Sequence, residues 1–489
     1  MPIPFDRIPS NLRVPGVYSE VDNSRALTGA QLLPYRRLLI GTMLAAGTAL
    51  ANVPVQVTTT AQANALTGAG SVLAGMAAAA LEQDNFTDLY LLPVADPGTG
   101  AASTATLTIT GPATSAGTLA LYVAGRKVSV GVLTADSATV IAASVVTALA
   151  ATTGLPVTAS SALGVVTFTA RNKGETGNSL DVRANYYGET LPAGVGVTFT
   201  AFAGGTGNPD ITAAMDALGD QWFQVWATAY TDTANLVILE NEQFSRWGPL
   251  REVEGHIFGA VKGTLSALGT IGNGRNSEHL TLVQATNEPM PSYEKAAETA
   301  SIAAFSAAND PARPIQNLSY VWCLPPAETA RFTITDRNIL LYDGIATSKV
   351  TTAGVMQVER LITTYKTNPA GGADASYLDS ETLFTLLYLR HDWKDLLLRK
   401  FPRAKLADDG NRFGSGQETV IVTPKSMKAE MVAWAQSMQV IGLVENIDAF
   451  KAASVAERNL ADRNRMDNLL VPDLVNQLRI IGNKIQFIL

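Results

Sequence analysis

The chain has 489 residues, of which 47% are hydrophobic and only 16% charged, against a usual charged share of about 25%. Lys and Arg number 36 and Asp and Glu 43, a net charge of −7, which argues against nucleic acid as the main partner because phosphate binding needs a basic surface. Cys323 is the only cysteine, so an intramolecular disulfide and every multi-cysteine zinc site are excluded.

The length leaves room for about three domains. Prolines at positions 2, 4, 9 and 15 and Asp6 exclude both a signal peptide and an early helix. Residues 1–30 therefore read as an arm. Within it Val14-Pro-Gly-Val17-Tyr18-Ser19-Glu20-Val21 predicts one extended strand, with Tyr18 and Glu20 on one face and Val17, Ser19 and Val21 on the other. Such a strand has no partner in its own arm and must pair elsewhere. Between Arg37 and Glu82 there is no charge, but Thr42, Thr48, Asn52 and Pro54 interrupt the apolar run. A membrane span needs about 20 apolar residues. The expectation is a buried strand and a neutral loop in a soluble chain made in a reducing compartment.

Residues 31–95 and 210–370 alternate apolar runs with helical segments. Strands are predicted at Leu38–Met43, Leu89–Val94, Phe223–Thr228, Gly255–Gly259, Leu280–Gln284 and Val355–Thr363. Helices are predicted at Ser71–Gln83, Ile211–Leu218, Thr233–Trp247, Thr264–Leu268 and Ser292–Ala308. Ser292 is expected to cap the last of these, with Tyr293, Ala297, Ala300 and Ala304 on one face. This alternation predicts a parallel-rich sheet with helices on both sides. Pro- and turn-rich connectors are expected after Ala308.

Residues 96–209 interrupt that rhythm between two turn-rich ends, Asp96-Pro97-Gly98 and Gly204 to Pro209. The stretch holds 20 threonines, ten charged residues and no Trp, Met, His or Cys. Alternation at Leu107/Ile109, Leu119/Leu121/Val123, Val128/Val130/Val132, Val166/Phe168, Leu180/Val182 and Val197/Phe199/Ala201 predicts strands. Ala124-Gly125-Arg126 reads as a hairpin turn, and Asp136 as the cap of one helix ending at Ala151. The expectation is an inserted β-rich domain. From residue 371 the chain becomes charge-dense, with 15 acidic and 15 basic residues to its end. Residues 371–477 are read as an α+β C-terminal domain with helices Glu381–Lys400 and Lys425–Gln436. Residues 478–489 are read as a second terminal strand arm, which Gly482-Asn483 is able to turn back as a hairpin.

Catalytic motifs are missing from the sequence. No phosphate loop, nucleophile elbow or His-Glu-x-x-His is present. Gly68-Ala-Gly70, Gly272-Asn-Gly274 and Gly414-Ser-Gly416 are incomplete as dinucleotide fingerprints. His256, His279 and His391 sit at ordinary strand and helix positions and read as structural. Asp408-Asp409-Gly410-Asn411 lacks the spaced ligands of a calcium loop and reads as a turn. Basic residues gather at Arg399, Lys400, Arg403 and Lys405 and again at Lys425 and Lys428. They read as a solvated face or as a docking patch for an acidic partner. No enzyme, cofactor or small-molecule ligand is expected.

Three separated segments carry a resemblance. Phe5-Asp-Arg-Ile-Pro-Ser-Asn-Leu-Arg-Val-Pro-Gly-Val-Tyr-Ser-Glu-Val-Asp-Asn-Ser24, Thr335 to Thr347 with Val355 to Thr364, and Asn464 to Arg479 resemble tail sheath proteins of Mu-like contractile-tailed bacteriophages. The resemblance runs the length of the chain in order. It implies an α/β core often called subtilisin-like but without a catalytic triad, an insertion facing outward and a C-terminal domain facing the tail tube. It implies stacked hexameric rings of this chain around the tube, strand addition through both arms, and contraction. The arm residues carrying it would be Val14, Val17, Tyr18, Ser19, Glu20 and Val21, with Ile480, Ile481, Ile485, Phe487 and Ile488. Lys425 and Lys428 would dock the tube. Baseplate and tail terminator proteins would be further partners, with assembly in the bacterial host cytoplasm. A static adhesive surface assembly and a hydrolase with a β-rich accessory domain are the competing readings. The first should carry an export signal and the second a clustered nucleophile and base.

Overall fold

The computed structural model describes residues 35–411 and 421–488. Their contacts fall into two compact units, one of residues 388–473 and the other of residues 35–387 with 474–488. The larger unit opens with β1 (Arg36–Thr42), β2 (Val55–Val57), α1 (Thr60–Thr67), α2 (Val72–Gln83) and β3 (Asp88–Val94). Next come β4 (Thr104–Thr110), β5 (Gly117–Val123), β6 (Arg126–Val132), α3 (Ala138–Ala151), β7 (Val157–Ala162), β8 (Val165–Ala170), β9 (Val182–Ala184) and β10 (Gly196–Phe199). The alternation resumes with α4 (Thr212–Leu218), β11 (Val225–Thr228), α5 (Thr233–Trp247), β12 (His256–Val261), α6 (Leu265–Asn273), β13 (Leu280–Gln284) and α7 (Ser292–Asn309). It closes with α8 (Ile334–Tyr342), β14 (Ile345–Val350), β15 (Met356–Arg360) and the start of α9 (Ser380–Lys400).

Eight strands form one sheet in the order β15-β14-β13-β12-β11-β1-β3-β2. All pairs from β14 to β3 are parallel, and β15 and β2 close the edges antiparallel. Every residue of β11, β12 and β13 is buried, which is why apolar side chains dominate these runs: a parallel sheet is covered on both faces. Leu38 and Ile40 of β1 pack with Trp226, Ile257 and Leu282 against α4, α5, α6 and α8. On the other face α2 and α7 lie over β1, β11 and β12.

Residues 104–199 form a four-stranded antiparallel sheet, β10-β4-β8-β7, and a three-stranded one, β6-β5-β9, with α3 packed against both. The β5–β6 hairpin turns at Ala124 and Gly125, whose φ angles of 49° and 76° suit a two-residue turn matched to strand twist.

Several expectations are corrected. Ser292 does not cap α7; Pro291 stands at that position with no side-chain bond to the helix. Ser137, not Asp136, caps α3 through Val140 N–H, while the Asp136 carboxylate accepts from Leu133 N–H. Leu180 and Ala201 fall outside strands, and Leu180 N–H donates to Gly177 O in a turn instead of a ladder. The neutral stretch after β1 holds β2 and α1, whose Thr, Ala, Gln and Asn residues show no apolar stripe. The connectors after α7 include α8, opened by a capping box between Thr333 and Asp336. α6 passes Leu268 and runs to Asn273.

In the smaller unit, α10 (Pro424–Val440) runs beyond Gln436 and is followed by α11 (Ile447–Ala453), which alternation did not reveal. Met427, Met431, Trp434 and Met438 bury one side of α10, and Phe450 of α11 packs on Trp434. A short hairpin pairs Val455–Arg458 with Met466–Leu469. Among the described residues, 475–488 form neither strand nor hairpin. The backbone there meets no ladder partner among the described residues, and an isolated two-stranded ribbon is marginal in water.

The helix α7 departs furthest from its sequence pattern. Instead of one buried face it buries thirteen residues, including Glu294, Lys295 and Glu298. Each of these is tied to another element. Glu298 accepts from Trp322 and Cys323 N–H at 2.6 and 2.9 Å. Lys295 donates to Glu288, to Gln284 O at 2.6 Å and to Ser348 Oγ at 2.9 Å. Glu294 accepts from Trp322 Nε1 at 2.6 Å and lies 3.8 Å from Arg126 Nη2 on the β5–β6 hairpin. Ser301 accepts from Arg37 Nη1 at 2.7 Å, and the same guanidinium donates to Ala80 O and Asp84 O at the end of α2. Burial lowers Arg37 to about 10, against the pull of Asp84.

Two predictions follow from this packing. Gly75 lets α2 approach α7: a Cβ there would stand 2.7 Å from Glu294 Oε1. Gly75→Ala, although it raises helix propensity by roughly 1 kcal/mol, is expected to destabilise by about 1–3 kcal/mol through overpacking. A higher midpoint in urea unfolding would refute this. Burial pushes the Glu294 carboxyl up from 4.5 to about 7, with Arg126 and Trp322 opposing. The folded state therefore binds this proton more tightly than the unfolded chain. Its contribution is complete below pH 4.5 and fades as pH rises through about 7, a loss of about 3 kcal/mol in all. Unfolding free energies measured from pH 5 to 8 should fall less steeply in Glu294→Gln than in the parent; equal slopes would remove Glu294 from the account.

Candidate assembly surfaces

The residues expected to carry assembly lie in two sequence arms and on one helix. Val14, Val17, Tyr18, Ser19, Glu20 and Val21 lie outside the described residues. The C-terminal arm is described to residue 488. Its root is fixed on the larger unit: Arg479 Nη2 reaches Asp379 Oδ1 at 3.1 Å and Glu381 Oε1 at 2.9 Å, and Gln316 Nε2 donates to Leu478 O at 3.2 Å. Glu381 is fully buried at the start of α9 and also accepts from Ile315 N–H. Burial raises its carboxyl, and the Arg479 guanidinium is the main opposing influence. Asp379 is held in turn by a bidentate pair from Arg360 at 2.8 and 2.9 Å. Such paired, hydrogen-bonded charges fix position more than they add stability.

Beyond that root the arm is uncovered. Ile480, Ile481, Ile485, Phe487 and Ile488 are all exposed, Ile485 by 89% and Ile488 by 99%. Five large apolar side chains in nine residues form the kind of surface that marks an interaction site. Ile480 borders a cavity of about 580 Å³ walled by Leu341, Tyr342, Ile362 and Leu378. The arm thus joins a locked base to a run whose apolar side chains have no cover among the described residues. Chemically it is suited to adding a strand to another sheet. Arg479 as the anchor was not legible in the sequence, because its partners lie about a hundred residues away.

Lys425 and Lys428 occupy the first turns of α10 in the smaller unit. Lys425 is exposed and Lys428 half-buried. No acidic residue stands in that first turn, so both cations oppose the positive end of the helix dipole. Lys425 N–H donates to Asp409 at 3.0 Å, a backbone contact that leaves its ammonium group outward. The other basic group behaves differently, since Arg399 pairs with Asp395 and Lys400 with Glu430. Asp408 is taken by Arg458 and Arg463 at 3.1 and 2.7 Å, so the turn at 408–411 is held by ion pairs. His256 and His279 are buried, and desolvation lowers both, His279 to about 4. His256 Nε2 meets Thr281 Oγ1 at 2.7 Å, and the His279 ring packs on Trp247.

Residues 204–364 match the phage tail sheath protein central domain, and residues 373–488 match the phage tail sheath C-terminal domain. The Mu-like prophage FluMu tail sheath protein of Haemophilus influenzae is 40% identical over 490 residues, covering 100% of both chains. Among solved structures, a chain from the contracted anti-feeding prophage baseplate aligns with a TM-score of 0.51 at 12% identity, covering 97% of this chain and 98% of that one. A chain from the contracted anti-feeding prophage helical sheath aligns at 0.49 and 11% identity, covering 97% and 99%. With a relative 40% identical along the full length of both sequences and two sheath domains matched in order, the chain belongs to the phage tail sheath protein family.

Proposed function

We propose that this chain is the structural subunit of a contractile phage tail sheath. It polymerises as stacked hexameric rings around the tail tube and shortens to drive the tube through the host envelope. The observation that carries this reading is the C-terminal arm, anchored by Arg479 and bare from Ile480 onward. Each backbone hydrogen bond gained by strand addition contributes roughly 1 kcal/mol, and each large apolar side chain covered adds about 1.5–3 kcal/mol. A subunit joined at both arms to different neighbours gains further through avidity. In this reading residues 14–21 form the second linking strand and residues 371–477 face the tube. Residues 96–209 face outward, and the subunit works in the virion tail after assembly in the host cytoplasm. The chain acts mechanically and not as an enzyme. Baseplate and tail terminator proteins bound the array.

Lys425 and Lys428 are the proposed contacts to the tube. Cations placed against the positive end of the helix dipole carry a cost, and an acidic partner relieves it.

Removing residues 480–489 is expected to leave a monomer with unchanged thermal unfolding that forms no tubes or rings by negative-stain microscopy. Removal of residues 1–25 should do the same. Tubes formed by either truncated chain would show that the missing arm is not a linker. Lys425→Glu combined with Lys428→Glu should spare sheath polymerisation and weaken co-sedimentation with the tube by about tenfold or more, the scale of one or two lost charge pairs. Undiminished co-sedimentation would take α10 out of the tube interface.

A further inference from the structure

Strand order in the large sheet reverses about β1: β3 lies on one side and β11 to β14 on the other. Open α/β sheets receive ligands in the crevice beyond the carboxyl ends of their strands near such a point. A cavity of about 250 Å³ lies there, beyond β11 and β12. Its walls include Thr231 after β11, Lys262 after β12, Ser292 at the start of α7, and Thr176 and Asn208 from the β-rich segment and its return.

Two polar groups of this crevice are not fully used, the Lys262 ammonium and the Thr176 hydroxyl. Lys262 is half-buried, and its ammonium spends two donors on Ser179 O at 2.8 Å and Glu288 O at 3.0 Å, leaving a third. Burial lowers it to about 8, with Asp181 and Glu288 pulling upward and Arg183 acting with burial, so an anionic neighbour stabilises its charged form. Thr176 is only 7% exposed, and its Oγ1 has no hydrogen-bond partner, a desolvation cost that native structures rarely leave unanswered. The eighteen-residue α7 opens onto the same space with no side chain capping its first N–H groups, the positive end of its dipole. Glu175, the acidic residue of this wall, is exposed and is engaged by Asn208 Nδ2 at 3.5 Å.

We propose that this crevice is an oxyanion site that takes a phosphate group, held by the Lys262 ammonium, the Thr176 hydroxyl and the open first turn of α7. The phosphate is either free in solution or carried on a small molecule such as a nucleoside monophosphate. The site is independent of the assembly arms, and it revises the expectation of no small-molecule ligand.

The test is isothermal titration of the full chain at pH 7 with inorganic phosphate, and separately with AMP, against chloride at matched ionic strength. Phosphate should bind, and Thr176→Val, which removes one hydroxyl and keeps the shape, should weaken it about tenfold. Lys262→Met should abolish it; should that variant not fold, Thr176→Val decides alone. Binding of phosphate without AMP assigns a free anion, and binding of both assigns the phosphate of a larger ligand. No binding of either, or phosphate affinity unchanged in Thr176→Val, overturns the proposal.

Discussion

The larger unit depends on burying a helix that carries charge. α7 lies over the parallel sheet with Glu294, Lys295 and Glu298 inside, and ions in a low-dielectric interior persist only when each is answered by a partner. Those partners come from β13, β14, the 320–323 segment, the β5–β6 hairpin and, through Ser301 and Arg37, from β1 and α2. The requirement to satisfy a few buried charges therefore fixes where six separate pieces of chain stand. It also explains the small residues along α2 and α7. Only Gly75 and the flanking alanines let two helices approach while a carboxylate stands between them.

In a body joined in this way, shifting one element would strip an ion of its partner. The same logic repeats at the base of the C-terminal arm, where Arg360, Asp379, Arg479 and Glu381 form a chain of charges. There the ordered network stops abruptly, and the next residues carry apolar side chains into solvent. In the proposed lattice such an arm would make the link outside the body, so that bodies could reorient without dissolving their own cores.

Much of the sheet was legible from residue order. The strands at β1, β3, β11, β12 and β13 are short, mostly apolar runs, and burial on both faces favours such side chains. The helices α2, α5 and α7 were legible from their length and their stops, as was the hairpin turn at Ala124-Gly125. The elements that escaped are those whose partners, not their own periodicity, create them. β2 is three residues long and exists because β3 has a free edge. α1 is built from Thr, Ala, Gln and Asn without a stripe. The capping box at Thr333 and Asp336 was a readable signal for α8, hidden among turn residues. Of the candidate assembly residues, the exposed isoleucines and Phe487 were visible as an apolar run at the end of the chain, whereas Arg479, which positions them, was not.

The sequence by itself determined the class of the chain. Continuous apolar strands alternating with helices dictate a parallel α/β sheet, a Thr-rich alternating stretch dictates β structure, and three histidines with one cysteine leave little material for chemistry. These are local properties, set by period and composition. The tertiary structure alone decided which charges are buried, which carboxylate holds Arg479, and that Lys262, Thr176 and the start of α7 share one crevice. Those facts depend on pairs of residues tens to hundreds of positions apart, and only closing the sheet brings them within hydrogen-bonding distance.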